Sequence, residues 1–83
     1  MSGTEEKTIL VVDDEPDTVA FLETTLRYAG FKVVTAGNGD EALDRLRTDK
    51  PDLISLDLVM PRKSGIRFLY EMRATDYGKN TVI

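Results

Sequence analysis

Three aspartates in this chain stand where β-strands should end. Asp13 and Asp14 follow the aliphatic run Ile9, Leu10, Val11 and Val12, and Asp57 follows Leu53, Ile54 and Leu56. In an open parallel sheet the ligand crevice lies at the carboxyl ends of the strands, where the chain order reverses. If the second strand sits outside the first, that reversal falls between strands one and three, and the three acids meet in one pocket. Like charges packed together repel unless a cation joins them. A hard divalent ion removes the conflict, and magnesium, which keeps several waters and needs only one or two carboxylates plus a phosphate, fits best. A carboxylate held beside such an ion can attack phosphorus and form an acyl phosphate. Asp57, a single acid at its strand end, is the nucleophile candidate; the adjacent pair is left to hold metal.

Composition closes off other chemistries. The 83 residues contain no His and no Cys, which excludes a Ser-His-Asp triad, a Cys nucleophile, disulfides and zinc sites of the His/Cys kind. Eleven Lys and Arg against fifteen Asp and Glu give a formal net charge of -4. Such a field repels phosphate backbones and anionic lipid, so neither direct nucleic-acid binding nor membrane binding is expected. The uninterrupted aliphatic run of residues 9–12 is far shorter than the roughly 20 residues a membrane helix needs. Residues 1–7 form a polar tail carrying Glu5 and Glu6, with Gly third rather than second; they resemble neither a signal peptide nor a myristoylation site. A cytoplasmic location is the expectation.

With 41% hydrophobic and 31% charged residues, the chain reads as one globular domain, able to bury roughly 60% of its open-chain surface around a modest core. Residues 8–12, apolar without alternation, predict a strand buried on both faces. Over residues 16–29, Val19, Leu22, Leu26 and Ala29 form one helical stripe, with Pro16 in the first turn and Gly30 as the stop. Residues 31–35 predict a second strand, 36–39 a turn, and 40–48 a helix burying Ala42, Leu43 and Leu46. A third strand is expected over 52–57. After a loop with Pro61 and Gly65, Ile66, Leu69 and Met72, with Phe68 beside them, predict a third helix ending before Gly78. Residues 81–83 suggest the opening of a fourth strand. This alternation implies a parallel sheet with right-handed crossovers and helices on both faces.

The segments Leu10-Val11-Val12-Asp13-Asp14-Glu15 and Pro51-Asp52-Leu53-Ile54-Ser55-Leu56-Asp57-Leu58-Val59-Met60-Pro61, with Gly65 after them, resemble the receiver domain of two-component response regulators. Asn38-Gly39-Asp40-Glu41-Ala42-Leu43 is similar to the entry of that family's second helix. The resemblance implies a flavodoxin-like doubly wound α/β fold with strand order 2-1-3-4, residues 8–83 forming the N-terminal part of a single receiver domain. It implies that Asp57 is the phosphoacceptor, that Asp14 binds magnesium directly, that Asp13 binds it directly or through water, and that the Val59 carbonyl is a further ligand. The implied donor is a phosphohistidine on a sensor histidine kinase or phosphotransfer protein, and the implied role is signalling rather than enzymatic. The family's Ser or Thr at the end of the fourth strand and Lys at the end of the fifth have no counterpart within these residues. Two other functions fit parts of the pattern: a magnesium phosphatase with an aspartyl nucleophile, against which Val59 stands where a second acid is wanted, and a non-signalling interaction fragment that forms a homodimer by element exchange, another copy filling the exposed sheet edge.

Taken singly, the features have plainer explanations. Asp13, Asp14 and Glu15 ahead of Pro16 suit a helix start, where acids meet the positive end of the dipole. Gly37 and Gly39 lack the third Gly of a dinucleotide loop and serve turn geometry instead. Arg62, Lys63 and Arg67 form a solvated basic face. Residues 13–17 lack the central Gly of a calcium loop. Phe21, Leu22 and Leu26 are expected in the core, with partial exposure of Phe21 for docking as the minor reading.

Overall fold

The computed structural model describes residues 7–57, 65–75 and 82–83, with residues 65 and 66 in backbone only. Its elements are β1 (Thr8–Val12), α1 (Pro16–Tyr28), β2 (Lys32–Ala36), α2 (Gly39–Asp49), β3 (Leu53–Leu56) and α3 (Gly65–Arg73). The sheet is parallel, ordered β2-β1-β3. Val82 bridges Leu53 in parallel, its carbonyl accepting from the Ile54 N–H at 2.9 Å. The start of a fourth strand therefore lies beside β3, as the order 2-1-3-4 requires.

β1 is central, and its lack of alternation follows from burial on both sides. Leu10 and Val12 face one core, with Ala36, Ala42, Leu46, Ile54, Phe68 and Met72. Ile9 and Val11 face the other, with Val33, against which Val19, Leu22, Leu26 and Phe31 pack. α1 thus covers one face, α2 and α3 the other. No residue of α1 is fully buried. Phe21 is 67% exposed, contrary to the core position expected: the stripe Val19, Leu22, Leu26 faces the sheet, and Phe21 lies one residue, about 100°, off it.

Boundaries shift where hydrogen bonds outweigh hydrophobicity. Phe31 donates its N–H to the Leu26 carbonyl at 3.1 Å and belongs to the exit of α1, so β2 begins one residue later than its apolar pattern suggests. Gly30, at φ 102°, makes the left-handed turn after that helix, a conformation open to glycine without penalty. α2 starts at Gly39 because the Asn38 side chain accepts the Glu41 N–H at 2.9 Å, satisfying one of the donors a helix start leaves unpaired. Its C-cap, Lys50, sits in the left-handed region at φ 46°. At the foot of the sheet, Asp52 accepts the Thr8 N–H through Oδ2 and donates its own N–H to the Thr8 carbonyl.

Three substitutions test this packing. Leu46→Ala, at a site with no exposure, should lower urea-measured stability by about 2–5 kcal/mol, while Phe21→Ala should stay within about 0.5 kcal/mol. Lys50→Gly should raise stability by about 0.5–1 kcal/mol in the same assay, by relieving the left-handed cap.

Candidate metal centre

Strand register brings the acids together. β1 and β3 pair Val12 with Leu56, and the ladder runs one step further: Asp57 donates its N–H to the Val12 carbonyl at 2.9 Å. On the other side Asp13 donates its N–H to the Ala36 carbonyl at 3.1 Å, continuing the β1–β2 ladder. Asp13 and Asp57 are therefore neighbours at the carboxyl edge, one strand spacing of about 4.8 Å apart. Asp14 leaves the strand beside them. One carboxylate oxygen from each of Asp13, Asp14 and Asp57 lies within 4.8 Å of the others.

The three are not equivalent. Asp13 and Asp57 are half-buried and Asp14 is exposed. Asp13 Oδ1 accepts the Glu15 N–H at 2.9 Å, an Asx turn that sets up the helix start, with Glu15 as N-cap lacking a side-chain cap of its own. The helix-start reading and the metal reading therefore fall on the same carboxylate, whose Oδ1 is engaged by the turn. Two oxygens on one octahedral magnesium lie at most about 4.2 Å apart, twice the Mg–O length. A 4.8 Å spread suits direct bonds from some of these carboxylates and a water bridge from another. The donor set, all hard oxygen, fits a hard divalent cation.

Beside the acids a cleft of about 400 Å³ opens between the start of α1 and the end of β2, walled by Asp13, Asp14, Glu23 and Thr35 over Pro16 and Val19. Asp57 does not line it. Val59, Arg62, Lys63 and Pro61, named from the sequence as ligand, basic cluster and loop, lie outside the described residues. Arg67, the remaining member of the basic cluster, is exposed and pairs with Glu71 at 3.3 Å. Gly37 has no positive φ; a Cβ there would meet Glu41 Oε1 at 3.4 Å. Sequence reasoning missed this contact, although the spacing Asn-x-x-Glu over residues 38–41 is that of a capping box.

A parallel sheet ordered 2-1-3, helices on both faces and acids at the carboxyl edge define a doubly wound α/β domain of flavodoxin-like type. Residues 9–83 match the family model described as the response regulator receiver domain, and the chain belongs to that family. It is 46% identical over 67 residues to the alkaline phosphatase synthesis transcriptional regulatory protein PhoP of Bacillus subtilis, covering 81% of this chain and 28% of that protein. It is 43% identical over 75 residues to the transcriptional regulatory protein PrrA of Mycobacterium tuberculosis, covering 90% of this chain and 32% of that one. The chain thus spans about a third or less of these relatives. Among solved structures, the chemotaxis response regulator CheY4 of Vibrio cholerae superposes with a TM-score of 0.88 at 32% identity, over 93% of this chain and 64% of that one. The Thermotoga maritima response regulator TrrA, solved in complex with Mg(2+)-BeF, superposes at 0.76 with 43% identity, over 81% of this chain and 58% of that one. Among the described residues no helix is long and apolar enough to cross a membrane.

Three close carboxylates repel one another in the absence of a cation. Asp14→Asn should therefore raise thermal stability in chelator by about 1 kcal/mol while reducing the stabilisation that millimolar magnesium gives the wild type. Calorimetric melts with and without magnesium check both signs.

Proposed function

We propose that this chain carries the phosphate-accepting site of a response regulator, with Asp57 as phosphoacceptor and magnesium held by Asp14, by Asp13 directly or through water, and by the Val59 carbonyl. The observation that carries the reading is the convergence of Asp13, Asp14 and Asp57 within 4.8 Å in a chain of the receiver family. On this reading residues 8–83 are the N-terminal part of one receiver unit, preceded by a polar tail over 1–7. The protein works in the cytoplasm and meets a sensor histidine kinase or phosphotransfer protein. Its role is that of a signalling acceptor that assists its own phosphotransfer, not that of an enzyme turning over a free substrate.

The transfer balances simply. A carboxylate oxygen of Asp57 attacks the phosphorus of a phosphohistidine, the P–N bond breaks, and its electron pair returns to the imidazole nitrogen, leaving an acyl phosphate on Asp57. Magnesium, when bound, neutralises charge on the phosphoryl oxygens. The chain's own part is to hold Asp57 at the end of the β3 ladder, pointing the nucleophile from a rigid strand rather than from a loop. Asp13 and Asp14 keep the cation beside it. The TrrA structure, solved in complex with Mg(2+)-BeF, supports a domain that takes magnesium together with a phosphoryl-like group.

Incubated with a small acyl phosphate in magnesium, the protein should gain a hydroxylamine-labile phosphoryl group, detected as intact mass. Asp57→Asn should lose it, as should omission of magnesium. Labelling that persists in Asp57→Asn rejects the assignment.

A further inference from the structure

We propose that Glu41, on α2, is a positioning residue for the metal centre, acting through the peptide that joins Ala36 to Gly37. This rests on the reading of Asp13 as a magnesium ligand. The Glu41 carboxylate accepts the Gly37 N–H through Oε1. The carbonyl of the same peptide unit, that of Ala36, accepts the Asp13 N–H at 3.1 Å. A peptide is a rigid plane whose C=O and N–H point in opposite directions, so one plane is clamped at both ends: by a carboxylate from α2 and by the backbone of a candidate ligand. Rotating the plane to release one bond weakens the other. Charge on Glu41 also polarises the amide and strengthens its carbonyl as an acceptor.

The remaining contacts make this a built arrangement. Glu41 is itself fixed, because its N–H donates to Asn38 Oδ1 at 2.9 Å. In an ordinary capping box the Glu would reach back to the N–H of the cap residue; here it reaches one residue further, to Gly37, and so onto the peptide that touches Asp13. Arg45, one turn along α2, pairs with Asp49 at 3.7 Å. Asp13, anchored through its N–H, also holds the Glu15 N–H with Oδ1 at 2.9 Å. Its backbone and one oxygen are thereby oriented. The sequence from Glu41 through the Ala36–Gly37 plane to Asp13 links the cap of α2 to the ion, and linkage requires the effect to be mutual: magnesium should steady the cap as the cap steadies the ligand.

The test compares Glu41→Ala and Glu41→Gln with the wild type by magnesium titration in calorimetry and by NMR hydrogen exchange at the amides of Asp13 and Gly37. Loss of an outer partner of a metal ligand typically weakens binding tenfold or more, so Glu41→Ala should bind magnesium about tenfold more weakly. Both amides should exchange faster in that variant and lose the added protection that magnesium gives them in the wild type. Glu41→Gln keeps an acceptor oxygen and should recover most of the affinity, which a loss of helix charge alone would not allow. Leu46→Ala, destabilising but remote from the acids, should leave magnesium affinity unchanged. Unaltered affinity and unaltered Asp13 exchange in Glu41→Ala would overturn the role of Glu41 while leaving the metal reading intact. A wild type without magnesium affinity would overturn both.

Discussion

The parallel pairing of β1 with a neighbour on each side is the constraint on which the rest depends. Because Val12 opposes both Ala36 and Leu56, the residues one step beyond are brought into a row at the carboxyl edge. The ladder does not stop at the last strand residue; it continues through the Asp13 and Asp57 backbones, so two acids distant in sequence inherit the strand spacing as their separation. A slip of one residue in either pairing would separate them and turn each strand's apolar set to the wrong face. The same burial that stabilises β1 therefore also sets the geometry of the site.

That arrangement places stability and chemistry in opposition at one end of the sheet. Ile9, Leu10, Val11 and Val12 are all nearly inaccessible, and such burial is the main favourable term in a small domain. The three carboxylates at the end of this strand work against it electrostatically until a cation joins them. Proteins concentrate such local conflict at functional sites. The opposite end of the sheet shows no such conflict: there the Asp52 carboxylate accepts a backbone N–H of β1 and closes a reciprocal pair of bonds.

Much of this is legible in the amino-acid sequence alone. The β-branched run of residues 8–12, the stripe of α1 and the acids at strand ends come from local rules of periodicity and burial, and residues 8–12 form β1 as expected. The motif spacing around Asp13, Asp14 and Asp57 pointed to the receiver family, to which the chain belongs. What failed did so for identifiable reasons. Phe21 is as apolar as its neighbours, and only the rotational setting of α1 on the sheet decides that it faces out. The boundary of β2 turned on a hydrogen bond from Phe31 to α1, which hydrophobicity does not encode.

The amino-acid order by itself determined which residues could be buried together and which carboxylates were available, because the periods of strand and helix are properties of the local chain. Only the tertiary structure decided which oxygens meet. The register between β1 and β3 and the peptide plane shared by Glu41 and Asp13 both join residues far apart along the chain. Their geometry arises from packing two faces of one sheet at once, a condition that no single segment contains.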